Sequence, residues 1–342
     1  MTDETPRPPR RKRYTGTNPT RFEDKYKEHD PARYADTVAK VIASGKTPAG
    51  THVPILVEEC LAALNLQPGM TGVDATLGFG GHAEKILELI SPDGKLIGLD
   101  VDPLELPKSE ARLRALGFGP DCFQAMRSNY AGIARVMTGL GLDAVDFVFA
   151  DLGCSSMQFD DPSRGFTFKV AGPLDMRMNP SRGLSAADWL AKVSSEKLEN
   201  ILRDNADEPR AETIAAALAG TWFANTLALA QAVRESIRVS DDDTRELTVR
   251  RVFQAVRIAV NEEFSALEAF LRALPGCLKP GGRAAILTFH SGEDRRVKQF
   301  MKAGISDGFY SEMSDSVITA GPEERRMNPR SSSAKLRWVI RK

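Results

Sequence analysis

Two hydrophobic periods alternate along the chain, and their order predicts an α/β fold. An apolar run ending at Asp74 leads into the turn Leu77-Gly78-Phe79-Gly80-Gly81, then a stretch of helical period to Ile90. A second apolar run, residues 96–99, ends on Asp100 and Asp102. Strand, glycine-rich turn, helix and strand in that order make half of a nucleotide-binding βαβ unit. Residues 104–116 read as a helix, 122–125 as a short third strand and 133–140 as another helix. The unbroken apolar run 145–150 predicts a fourth strand buried on both faces.

Helical period then returns in four amphipathic segments, 186–193, 195–204, 210–220 and 228–237, and in a long one over 249–274. On the long segment Val249, Val252, Phe253, Val256 and Val260 share the core face. Arg250, Gln254, Arg257 and Asn261 form a polar stripe on it, suited either to gripping phosphates or to facing solvent. Pro280-Gly281-Gly282 turns the chain into a strand over 283–289, which delivers His290, and a helix starts at Glu293.

Composition narrows the class. A chain of 342 residues with 42% hydrophobic content can bury two cores, and a formal net charge of zero confines any polyanion contact to local patches. Cys60, Cys122, Cys154 and Cys277 form no C-x-x-C pair and follow no secretory leader, the usage of a reducing cytoplasm. The four histidines lack metal-ligand spacing, so no metal is expected, and no run reaches the ~18 apolar residues of a membrane span. Residues 1–45 are polar, with Arg7, Arg10, Arg11, Lys12 and Arg13 clustered, and predict a flexible basic arm.

The glycine turn carries the first chemistry. Gly78, Gly80 and Gly81 lack the β-carbons that would hold a ligand away, and the helix behind them directs free N–H groups at it. Asp100, at the next strand's tip, suits ribose hydroxyls, so the ligand is an adenosine-bearing cofactor. S-adenosylmethionine (SAM) and NAD compete for such a turn, because Gly78-x-Gly80-x-x-Ala83 also satisfies the dinucleotide fingerprint. Asp74 favours SAM: a carboxylate there meets a cationic amino-acid end but repels a pyrophosphate. Strand tips of a parallel sheet share one rim, which places Tyr130 beside an adenine and brings Asp151 and His290 to the same edge. The loop after Asp151 carries so many specific polar groups, Ser155, Ser156 and Gln158 among them, that it reads as functional rather than connecting.

Eight segments, HVPILVEECLAAL, DATLGFGGHAEKIL, DLGCSSMQFD, RGFTF, GPLDMRM, FQAVRIAVNEE, FHSGEDRRVK and NPRSSSAKLR, run in order from His52 to Arg337. Together they resemble the signatures of the small-subunit (16S) ribosomal RNA cytosine-N4 methyltransferases, the MraW/RsmH family. The resemblance implies a class I SAM-dependent methyltransferase sheet, Rossmann-like, with an inserted all-helical domain. It places the SAM-binding domain at residues 46–160 and 245–342 and the RNA-binding insertion at 161–244. The implied substrate is a decoding-centre cytidine of 16S rRNA in the small ribosomal subunit, and a homodimer is left open. By motif, the SAM contacts are Gly80, Gly81, His82, Asp100, Tyr130, Asp151 and Gln158.

An exocyclic cytosine amine is a weak nucleophile, its lone pair drawn into the ring. Asp151, with Ser155 or Ser156, is assigned to orienting or deprotonating it, and His290 is the second choice for the proton. Cys154 lacks a Pro-Cys setting and reads as packing. Arg164, Arg177, Arg257 and the basic run from Arg325 to Lys342 are the expected phosphate contacts, with Phe166 and Phe168 as stacking platforms. The chain departs from the family pattern at 247–251, at Gly292, at Ser332 and at Tyr130. A dehydrogenase and a SAM-binding assembly factor without turnover are the rival readings.

Overall fold

The computed structural model describes residues 54–238 and 241–342; the basic arm expected over 1–45, and His52, lie outside the described residues. In chain order the elements are α1 (Val57–Leu64), β1 (Thr71–Asp74), α2 (Gly81–Ile90), β2 (Lys95–Asp100), α3 (Leu106–Ala115), β3 (Phe123–Arg127), α4 (Ile133–Gly139) and β4 (Val145–Asp151). There follow α5 (Ser156–Asp160), the helices α6 (Ala186–Leu190), α7 (Ser195–Ala206), α8 (Ala211–Leu218) and α9 (Thr226–Ser236), then α10 (Asp242–Val260) and α11 (Glu263–Cys277). The chain ends on β5 (Leu278–Thr288), α12 (Ser291–Ser306), β6 (Tyr310–Met313), α13 (Pro322–Met327) and β7 (Lys335–Arg341).

The sheet runs β3-β2-β1-β4-β5-β7-β6, parallel through β5, with β7 antiparallel to both its neighbours. This is the Rossmann-like sheet that the family resemblance implies, with helices inserted between its fourth and fifth strands. β4 is its spine: Phe147, Val148, Phe149 and Ala150 are fully buried, as a strand covered on both faces requires. Gly72 of β1 pairs in register with Phe147, and a β-carbon there would come within 2.2 Å of that ring, so glycine is what lets the two strands share the core. Because β1, β2, β4 and β5 are parallel, their carboxyl ends gather Asp74, Asp100, Asp151 and the residues after Thr288 on one rim.

Three hydrophobic clusters fill the molecule. Two pack the faces of the sheet; the third is built by α6 to α9 together with Phe166, Leu174 and Met176, and reaches into α10 through Val249, Val252 and Val256. The apolar face of α10 thus serves the helical insertion.

The single helix expected over 249–274 is two. It breaks where Glu262 takes a left-handed conformation (φ 52°), and Asn261 holds the corner by donating to the carbonyls of Arg257 and Met176. The basic run at the chain's end is corrected over residues 335–341: β7 lies inside the sheet, Arg337 is buried against Asp294 at 2.7 Å, and Arg341 donates to the carbonyl of Pro275. An alternating strand, KLRWVIR, underlies what looked like a polyanion-binding tail.

Candidate active site

At the carboxyl rim lies a cavity of about 540 Å³. Every proposed site residue whose side chain is described lines it: Gly80, Gly81, His82, Asp100, Tyr130, Asp151, Ser155, Gln158 and His290. Ser156 opens α5, and its side chain falls outside the described residues.

The glycine turn is shaped from behind. Gly78 (φ 51°) and Gly80 (φ 81°) are left-handed, and a β-carbon on Gly81 would press on Pro54 at 3.0 Å. Asp100 accepts the N–H of Gly78 at 2.9 Å and that of Asp102 at 2.8 Å. From α3, the Ser109 hydroxyl donates to the Gly78 carbonyl and Arg112 Nε to that of Phe79 at 3.0 Å, with the guanidinium stacked 4.4 Å from the Phe79 ring. The turn's carbonyls are therefore tied back to the helix, and the cavity lies on its other side.

Three carboxylates stand on three strand tips. Thr76 links two of them: its N–H donates to Asp74 at 3.0 Å, and its hydroxyl accepts the N–H of Asp151 at 2.6 Å. Burial, reinforced by the Asp100 charge, raises Asp74 to a pKa of about 7 against its N–H bond from Thr76. Burial raises Asp100 to about 6, opposed by the two N–H bonds it accepts. Burial, with Asp74 and Glu293 nearby, raises Asp151 to about 8. An arriving cation would draw these carboxyls into their ionised form, whereas a pyrophosphate would be repelled by it. His82 is buried, its Nε2 2.9 Å from the Ile55 carbonyl and its Nδ1 3.6 Å from Asp151.

The opposite wall adds two carboxylates that the sequence reading did not assign to the site, Glu263 and Glu293. Arg257 makes a buried bidentate pair with Glu263, both bonds 2.9 Å, and Tyr130 donates its hydroxyl to the Glu263 carbonyl at 3.3 Å while setting its ring edge-on to Phe270. Glu293 accepts the Phe289 N–H at 2.9 Å and sits 3.1 Å from His290 Nε2. That contact occupies Nε2, whereas the buried Nδ1 of His290 lacks a hydrogen-bond partner among the described residues. Burial pushes the Cys154 thiol up to about 12, which leaves it no nucleophile and agrees with its reading as packing.

The chain matches the MraW methylase family over residues 49–342. It is 47% identical over 341 residues to the ribosomal RNA small subunit methyltransferase H 1 of Lachnoclostridium phytofermentans, covering 97% of this chain and 93% of that one. Against the protein of the same name from Agathobacter rectalis the identity is 45% over 341 residues, with 97% of each chain covered. A ribosomal RNA small subunit methyltransferase H from Trichlorobacter lovleyi is 40% identical over 305 residues, 84% of this chain and 96% of its own. The chain belongs to the MraW methylase family.

In this methylase several residues expected at the substrate have other work. Arg164 is buried, donating to Asp102 at 2.8 Å and to the carbonyls of Arg177 and Met178. Arg177 is held by Asp175 through bonds of 2.8 and 2.6 Å, and Arg257 by Glu263. Each of these cations is neutralised by a neighbouring carboxylate. Phe166 belongs to the core and Phe168 packs its ring 5.0 Å from Phe253, while both also line the cavity. Asp102 lies past the end of β2 and is fully buried: it accepts the Leu104 N–H at 2.9 Å in the turn before α3 and takes both Arg164 and the Gln158 amide at 2.8 Å.

The Gln158 side chain also receives the Ser155 N–H, while Ser155 Oγ caps α5, so these two residues shape the loop as well as lining the cavity. Gly292 has a steric reason: a β-carbon there would meet the Phe264 ring at 2.7 Å and His290 Nδ1 at 3.2 Å.

The raised carboxyls predict an unusual stability profile. Asp74, Asp100 and Asp151 bind protons more tightly folded than unfolded, so their contribution is fully present below about pH 4 and is lost as pH climbs through about 6 to 8. Calorimetry of the ligand-free methylase should show Tm falling across that range. A Tm that rises there would mean that the three groups are not held as described.

Proposed function

We propose that this chain is a SAM-dependent methyltransferase that modifies the N4 amine of a decoding-centre cytidine in 16S rRNA of the small ribosomal subunit. The observation that carries the reading is Asp151, a carboxyl raised to near-neutral pKa between the glycine turn and the His290–Glu293 wall. Family membership and the names of its relatives support the substrate class.

The turn 77–81 and Tyr130 would hold the adenosine of the cofactor, Asp100 would take its ribose hydroxyls, and Asp74 would meet the ammonium of its amino-acid end. SAM supplies an electrophilic methyl group on a sulfonium. Asp151, as carboxylate, accepts an N–H of the cytosine amine, localises the nitrogen lone pair and holds the proton that leaves it. The Ser155 hydroxyl steadies the amine, and His290, whose Nδ1 has no hydrogen-bond partner among the described residues, is the second acceptor on the far side. Since Asp151 carries the proton, alignment rather than a strong base supplies much of the rate. The helical insertion forms the RNA side of the cleft.

Labelled SAM incubated with small subunits from a strain lacking the gene should yield N4-methylated cytidine by nucleoside mass spectrometry. Its absence would overturn the proposal. Asp100→Ala should weaken S-adenosylhomocysteine binding by about 1–3 kcal/mol through lost charge-assisted hydrogen bonds, measured by titration calorimetry; unchanged affinity would remove Asp100 from the cofactor site.

A further inference from the structure

Charge is partitioned through the pocket. Its interior holds the carboxylates Asp74, Asp100, Asp151 and Glu293 and the buried pair Arg257–Glu263, whereas the exposed residues Lys169 and Arg250 lie where its lining meets solvent. Packing of Phe168 on Phe253 pins the segment carrying Lys169 against α10, within one helical turn of Arg250. The polar stripe of α10 descends from this lip into the cavity, and its lower members are engaged: Gln254 donates to the Asn205 carbonyl, Arg257 to Glu263 and Asn261 to the Met176 carbonyl. Lys169 and Arg250 differ. Among the described residues neither has a carboxylate within 4 Å; Glu246, one turn before Arg250 on α10, feels its charge but is hydrogen-bonded to Arg234.

We propose that Lys169 and Arg250 form a phosphate clamp at the mouth of the pocket, holding the RNA backbone on either side of one nucleotide while its base enters. The inference rests on the reading of the substrate as RNA and adds where the chain is gripped. Acidic walls repel phosphate, so the polyanion stays at the lip and only an uncharged base, offering amine N–H donors, passes inward. A base presented this way has left its stack, as chemistry on an exocyclic amine requires.

The test measures binding apart from turnover. The full chain, saturated with S-adenosylhomocysteine, is titrated into a short fluorescently labelled single-stranded RNA over a range of salt. Lys169→Ala combined with Arg250→Ala should weaken binding about tenfold and lower the slope of log affinity against log salt by about 1.4, at ~0.7 per phosphate contact. Lys169→Arg should retain the wild-type slope, as should Lys302→Ala, an exposed cation on α12 outside the pocket lining. Calorimetry with S-adenosylhomocysteine establishes that each variant is folded. A double variant with wild-type affinity and slope, or a wild-type chain that does not bind the RNA, overturns the clamp. Methyl transfer to small subunits is scored separately, so a chain that binds through the clamp yet transfers no methyl group counts against the proposed reaction alone.

Discussion

Asp151→Asn should lower turnover by about 10²- to 10⁴-fold, the range for removing a positioned proton acceptor, with a much smaller loss of S-adenosylhomocysteine affinity. The substitution keeps the shape of the side chain and leaves the Thr76 bond intact, because that bond is made to the backbone N–H of Asp151. What is lost is the capacity to take a proton. With its pKa raised to about 8 by burial and by Asp74 and Glu293, the free carboxyl loses its proton only as pH rises toward that value. The sulfonium charge beside it acts in the opposite sense and lowers this value. Single-turnover rates with labelled SAM should therefore increase with pH for the wild type, while Asp151→Asn should show a flatter profile. Wild-type rates in the variant would refute the role.

Asp102→Ala should cost about 3–5 kcal/mol of stability, the range for removing one partner of a buried ion pair, and lower Tm by roughly 5–10 °C. The carboxylate is fully buried and serves three groups at once: the Leu104 N–H, the Gln158 amide and the Arg164 guanidinium. Its loss leaves a buried guanidinium with only carbonyl partners and frees Gln158, one end of the capping box on α5. Thermal unfolding measures the effect. Asp102→Asn, which retains an acceptor but not the charge, should fall between, and a wild-type Tm for Asp102→Ala would remove this network from the stability of the fold.

Local chemistry makes much of this legible in the sequence alone. The apolar runs of β1, β2 and β4, the glycines of the turn and the carboxylates at the strand ends are all written in contiguous residues, and parallel pairing then dictates that they converge. The unread parts depend on partners distant in sequence or on backbone states without a punctuating residue. Arg164 was visible as a cation, but the carboxylate that consumes it, Asp102, lies on another loop. Arg257 and Glu263 are six positions apart, a spacing that no continuous helix brings together; the left-handed Glu262 does so without glycine or proline to announce it. In residues 335–341 the strand alternation was present, but the density of positive charge obscured it. Arg250 and Lys169 stand out only by comparison with cations whose partners the fold reveals.

β7 follows β6 in the chain yet lies between β5 and β6 in the sheet. A copy clipped ahead of Lys335 would forfeit the strand that joins them, leaving two raw edges with open N–H and C=O groups and Asp294 without Arg337. Such edges template aggregation, and a protein in that state is cleared by cellular proteases. A late nick or premature stop therefore removes the enzyme from the cell instead of leaving a slower one.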